Sequence, residues 1–182
     1  RSKIPSLAYW HISATSGHAY TDKIDANVSR LGLGLYGIHG GGSIEKSIHL
    51  KPALSMTTEL TLVKKISKGD HVGYGCTFTA PHDMTIGLIP AGYFEGVETA
   101  LSGNGKLLLQ VDKNLRPVSI VGRVSMNITA VDVTDTMAKR GDKITVFSAD
   151  PTMPNSIESI ARICNTIPYK ILVHIPQHLK RV

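Results

Sequence analysis

Residues 51–80, KPALSMTTELTLVKKISKGDHVGYGCTFTA, decide how the fold is read. From Ser55 to Ile66 apolar and polar residues alternate, the period-2 pattern of a strand with one buried face. Lys68-Gly69-Asp70 then turns the chain, and His71 to Thr79 resumes as strand. The rhythm continues downstream: MTIGLIPAGY follows the Pro81-His82-Asp83 turn, then come KLLLQV, RPVSIVGRV, NITAVDV and KITVFS, with turns at 112–115 and 140–142. Strands punctuated at intervals of roughly 8 to 12 residues indicate an all-β sandwich or barrel. Residues 53–182 are therefore expected to form a mostly-β, barrel-like domain. One helix is expected near its end, where Asn155-Ser156 cap SIESIARIC and put Ile157, Ile160, Ala161 and Cys164 on one face.

Upstream, residues 1–52 change character. IPSLAYWHI (Ile4 to Ile12) is a short apolar run with an aromatic pair, suited to a buried parallel strand. Ala19 to Ser29 reads as a weak helix, and RLGLGLYGI (Arg30 to Ile38) as a second buried strand whose glycines permit close approach of a ligand. His39 to Ser43, with three glycines in a row, makes a flexible connection. This β-α-β order completes neither a sheet nor a barrel. The chain does not begin with methionine and is already apolar at Ile4, so it is expected to start partway through a fold.

Composition narrows the function classes. With 182 residues, 42% hydrophobic and 19% charged, the chain can bury a sizeable core. No apolar run approaches the ~20 residues of a membrane span. Two cysteines, Cys76 and Cys164, are too few for a disulfide framework, and a reduced, cytoplasmic setting is expected. The net charge of +6 raises the question of nucleic acid. The basic residues are scattered, however, the densest groups being Lys64-Lys65 and Lys180-Arg181, and aromatics make up only 5% of the chain. That is not the clustered charge with stacking rings that nucleic-acid binders use. No metal site is expected either: the eight histidines are dispersed, and His174 and His178 bracket Pro176, which opposes a helix bringing both rings to one face.

Four stretches can carry chemistry. Tyr74, flanked by Gly73 and Gly75, reads either as a strand aromatic beside a bulge or as a hydroxyl with space around it. Tyr93 sits on a Gly-Tyr turn close to Glu95. VGRVSMN (Val121 to Asn127) is a strand ending in small and polar residues whose amides can face an anion. HISATS (His11 to Ser16) and RLGLGLYG (Arg30 to Gly37) each put polar groups where α/β active sites collect, at the carboxyl end of a parallel strand. A buried-strand arginine such as Arg30 wants a partner, and His11 can supply one.

In order and spacing, these stretches resemble the alanine racemase family along nearly the whole chain. RLGLGLYG resembles the family's arginine-bearing stretch at the end of a barrel strand, and KPALSMTTELTLVKKISKGDHVGYGCTFTA resembles the opening of its β domain. IPAGYFEGV, IVGRVSMNITAVDVTD, GDKITVF and IARICNTIPYKI follow as family members have them. The resemblance implies an amino-terminal α/β barrel, a β-rich carboxy-terminal domain and a head-to-tail homodimer. Residues 1–52 would then be the tail of a barrel that binds pyridoxal 5'-phosphate, since a complete barrel takes about 250 residues. The lysine that holds the cofactor as a Schiff base would lie outside this chain, which alone is expected to be inactive.

The implied reaction interconverts L- and D-alanine through an external aldimine, with a base on each face. Tyr74 matches the residue serving one face, reaching across the dimer into the partner's site. Free tyrosine has a pKa of about 10, so about one phenol in a thousand is ionised at pH 7, and a neighbouring cation favours the tyrosinate. Arg30 matches the arginine that pairs with the pyridine nitrogen, with His11 orienting it from behind. Thr15 matches a phosphate-binding hydroxyl, and Gly32 and Leu33 match backbone amides that face the phosphate. Met126 matches a residue whose amide meets the substrate carboxylate, and Tyr93 an aromatic that narrows the pocket.

The chain departs from the family pattern at four positions. Glu95 replaces an aspartate, Thr99 stands where an arginine is usual, and Asn127 replaces an aspartate. Gln177 falls where many relatives have a tyrosine bordering the substrate, so serine is expected to compete with alanine. Two other readings remain open: an amino-acid decarboxylase on the same plan, for which Cys76 would supply the cross-dimer group, and a non-catalytic β-barrel binding module.

Overall fold

The computed structural model describes residues 7–17, 25–39, 49–112 and 114–182. The chain divides into two compact units, residues 1–53 and 54–182. No helix among the described residues is long and apolar enough to cross a membrane.

The second unit is a mostly-β domain. Its described residues include nine strands: β1 (Met56–Glu59), β2 (Leu62–Ile66), β3 (His71–Val72), β4 (Phe78–Thr79), β5 (Met84–Ile89), β6 (Lys106–Val111), β7 (Asn114–Val121), β8 (Thr129–Asp132) and β9 (Lys143–Phe147). Seven of them make one antiparallel sheet in the order β1-β9-β6-β7-β8-β5-β2. The two edges of that order, β1 and β2, are separated in sequence by only Leu60 and Thr61. Two residues reach at most about 7 Å, so the edges must meet and the sheet curls into a barrel-like wall. The backbone records the change of partner: the Leu60 amide donates to the Asp142 carbonyl at 2.9 Å, continuing the β1–β9 pairing, while that of Thr61 donates to Leu88 at 2.8 Å, at the start of the β2–β5 pairing. Hence the run expected as one strand from Ser55 to Ile66 is two strands on opposite edges.

Inside, Leu107, Leu108 and Leu109 are consecutive and all buried, so both faces of β6 are covered, together with Ile120, Val131, Ile144, Val146 and Phe147. The expected helix is present as α1 (Ile157–Ile163), capped by the Ser156 side chain, which accepts from the Ser159 amide. Asn155 does different work: its buried amide donates to the Thr145 and Val146 carbonyls at 2.8 and 3.2 Å, tying the cap to β9. A second helix, α2 (Pro168–Val173), opens with proline at its first turn, where the missing N–H costs nothing.

In the first unit no strand is found among the described residues: 7–12 and 30–38 carry none, and residues 4–6 of the first expected strand lie outside the described residues. A strand needs a ladder of partner groups, and those groups are engaged otherwise. The Asn27 side chain spans Ala8 and Trp10, accepting from the Trp10 amide at 2.9 Å and donating to the Ala8 carbonyl at 2.8 Å. Leu33–Tyr36 winds into a 3-10 turn whose bonds run Leu35 to Gly32 and Gly37 to Gly34. The helix expected over 19–29 falls largely outside the described residues, and 25–29 carry no helix.

Candidate active site

The strand expected from His71 to Thr79 is broken in its middle. His71–Val72 and Phe78–Thr79 pair as a small antiparallel ribbon, and between them Tyr74–Cys76 forms a 3-10 turn. The cause is local: Gly73, Gly75 and Cys76 all take positive φ (79°, 70° and 50°), which no strand tolerates. The ribbon is anchored by its apolar side. Val72, Phe78 and Ala80 pack with Ile66, Met84, Ile86, Val121 and Ala130 in one cluster, each fully buried large side chain contributing roughly 1.5–3 kcal/mol. What is left outside is the tip, and Tyr74 is 74% exposed there.

Val72-Gly73 runs backbone to backbone beside Gly122-Arg123. A Cβ on Gly73 would lie 3.0 Å from the Arg123 amide, and one on Gly122 would press on the Val72 carbonyl. This close approach makes Arg123 a neighbour of the tyrosine turn. Tyr74, Tyr93, Thr99, Ser102, Arg123 and Met126 line one cavity of about 850 Å³. Three residues singled out from sequence, Tyr74, Tyr93 and Met126, are thus brought together. Arg123 and Ser102 were not anticipated, although Arg123 lies in VGRVSMN, where a lone arginine between Gly122 and Val124 in an otherwise apolar strand end is the signal. Ser102 is itself a brace: its hydroxyl donates to the Thr99 carbonyl at 2.6 Å and accepts from the Val124 amide at 3.0 Å.

The wall bearing Tyr93 and Met126 is two loops stitched together. The Tyr93 amide donates to Ser125 at 3.0 Å and the Phe94 amide to Met126 at 2.9 Å. Gly92 is required because a side chain there would overlap the Ser125 carbonyl oxygen. Behind Tyr93, the Phe94 ring stacks on His178 with centroids 4.9 Å apart. Gln177 is exposed and lies outside the cavity lining; its carbonyl accepts from Arg181 at 3.0 Å. Cys76, in the tyrosine turn, is exposed and also outside the lining. His174 pairs with Glu98 at 3.3 Å while His178 stacks on Phe94, so the two histidines have separate partners.

The first unit holds a second cluster. Thr15 Oγ1 accepts from the Gly32 amide at 3.0 Å and from the Gly34 amide at 3.3 Å, gathering the start of the 3-10 turn around one hydroxyl. Leu33 is buried in that turn. Arg30 donates to the Ile12 carbonyl at 3.4 Å. His11 is exposed, and no hydrogen bond joins it to Arg30 among the described residues, so the expected orienting contact is replaced by one to backbone. No group of three or more metal-ligating side chains occurs among the described residues.

The family model for the alanine racemase C-terminal domain matches residues 53–182. The chain belongs to that family. It is 34% identical over 177 residues to the alanine racemase of Lactobacillus acidophilus, covering 94% of this chain and 46% of the relative. Among solved structures, alanine racemase from D-cycloserine-producing Streptomyces lavendulae superposes with a TM-score of 0.87 at 26% identity, covering 100% of this chain and 47% of that one. Alanine racemase from Bartonella henselae with covalently bound pyridoxal phosphate superposes at 0.81 with 27% identity, covering 93% and 45%. The chain spans about half the length of these alanine racemases.

Proposed function

We propose that the protein to which this chain contributes interconverts L- and D-alanine, with Tyr74 handling the proton on one face of the substrate. The observation that carries this reading is the shared cavity: an exposed phenol beside Arg123, faced by Met126 and narrowed by Tyr93. An amino acid's α-proton is not acidic in water. Pyridoxal phosphate, when bound, delocalises the electron pair left behind as that proton departs. The chain's own residues offer donors for such a group: Thr15 Oγ1 gathers the Gly32 and Gly34 amides at 3.0 and 3.3 Å, which leaves its hydroxyl hydrogen to donate to a phosphate oxygen that those amides would also face.

In this reading Thr15, Gly32 and Leu33 would hold the phosphate, and Arg30 would lie by the pyridine nitrogen. A permanently charged guanidinium there opposes protonation of that nitrogen and favours return of the proton to the α-carbon. Tyr74 and Met126 serve the site of a second copy, in a head-to-tail homodimer. The Met126 amide receives the substrate carboxylate, Tyr93 limits the size of the side chain admitted, and the Tyr74 hydroxyl takes or returns the α-proton. The opposite face and the Schiff base belong to a lysine outside this chain.

The test is direct. Full-length protein supplied with pyridoxal phosphate should bring pure L-alanine or pure D-alanine to the same optically inactive mixture; no change in optical activity would refute the reading. Serine run in parallel tests the expectation that it competes with alanine.

A further inference from the structure

The Glu95 side chain spans two loops of the cavity wall. One carboxylate oxygen accepts from the Gly92 amide at 2.8 Å, closing the turn that carries Tyr93. The other accepts from the Asn127 side-chain amide at 2.8 Å. Asn127 follows Met126 directly, in the loop whose Ser125 and Met126 carbonyls receive the Tyr93 and Phe94 amides. Both oxygens of one carboxylate are thus committed, one to each loop.

We propose that Glu95 and Asn127 form a positioning clamp that fixes the Met126 amide and the Tyr93 ring relative to each other, and so sets substrate binding in the cavity. The proposal rests on the racemase reading for its kinetic consequences but not for its geometry. The pair matches one acceptor with one donor, a polarity that a carboxylate at position 127 would reverse. Two carboxylates there repel when both are ionised and share a proton in acid. Neither residue touches reacting atoms; both act through the loops they join.

The polarity also offers an exchange. In a protein carrying both Glu95→Gln and Asn127→Asp, the glutamine carbonyl oxygen accepts from Gly92 while its amide donates to the aspartate. Both hydrogen bonds of the clamp are then kept, with donor and acceptor swapped only in the bond between positions 95 and 127.

The experiment uses full-length protein and three forms: wild type, N127D, and E95Q/N127D. N127D should lose roughly 3- to 10-fold in kcat/KM at neutral to alkaline pH, mainly through KM, as suits a partly exposed pair of modest strength. The loss should shrink as pH falls, and E95Q/N127D should recover wild-type KM and its pH profile. An N127D indistinguishable from wild type across pH, or an exchange variant no better than N127D, overturns the clamp. The unfolding midpoint supplies a readout independent of activity. Relative to the exchange variant, N127D should be most stable in acid and lose that stability as pH rises and both carboxylates ionise. A flat difference between the two overturns the clamp even if the protein racemises nothing, whereas absent wild-type turnover refutes only the racemase reading.

Discussion

Gly92 lies against Ser125 so closely that a single added methyl would overlap the Ser125 carbonyl oxygen and crowd that of Met126. Both obstructions are backbone, which has no rotamer by which to give way. Through this contact the turn carrying Tyr93 and the loop carrying Met126 become one wall.

Gly92→Ala should therefore destabilise the protein by about 1–3 kcal/mol, the range for overpacking a rigid site. Its φ of −140° is open to alanine, so the cost is steric and not conformational. Denaturant unfolding of the purified variant measures it, and a change below about 0.5 kcal/mol, the usual scale of surface substitutions, would contradict the packing described.

Thr129 joins the same wall from below. Its side chain is fully buried, and its hydroxyl donates to the Ala91 carbonyl at 2.7 Å. Thr129→Val keeps the shape and removes the donor, leaving a buried carbonyl unpaired at a cost of about 1–3 kcal/mol. Thr129→Ser retains the bond and should leave substrate KM closer to wild type than the valine variant does. Equal stability of wild type and the valine variant would count against a role for this bond.

Cys164 provides a pH-dependent probe of the helical end. Burial pushes its thiol above the ordinary range, the Glu98 carboxylate adds to the rise, and Lys170 opposes it. A raised folded value means the stabilising contribution is full below the ordinary thiol range and is lost as pH rises through the folded value. Alkylation of Cys164, followed by peptide mass spectrometry, should show a rate profile displaced to higher pH than that of the denatured protein. Coincident profiles would contradict the burial.

Most of the β domain was legible because its strands satisfy local and global demands together. The turn signals placed Lys106–Val111 and Lys143–Phe147 within a residue, whereas the strand expected over 84–93 ends at Ile89 because Pro90 and the Gly92 turn leave the ladder. The split between β1 and β2 was not legible: Leu60 and Thr61 continue the alternation, and only pairing with different partners, β9 and β5, assigns the two halves to opposite edges. Likewise Pro168 marks a helix start only once the turn before it is known.

The site divides the same way. Tyr74 and Tyr93 announced themselves as aromatics beside glycines, and the break at Tyr74 follows from the positive φ of those glycines. Arg123 joins them through a backbone contact between Val72-Gly73 and Gly122-Arg123, fifty residues apart in sequence, and no local pattern encodes that. In the first unit, apolar runs read as buried strands, yet Tyr9, Ile12 and Leu35 are exposed because hydrophobicity alone does not supply the partner a strand needs.

The central claim is that the Tyr74 hydroxyl moves the substrate proton, and Tyr74→Phe in the full-length protein tests it most directly. The ring is largely exposed, so removing one oxygen should leave the unfolding midpoint and cofactor binding unchanged. Racemisation in both directions should fall by about 10²- to 10⁴-fold, the contribution of a positioned acid–base group. A phenylalanine variant that racemises alanine within a few-fold of wild type would contradict the account.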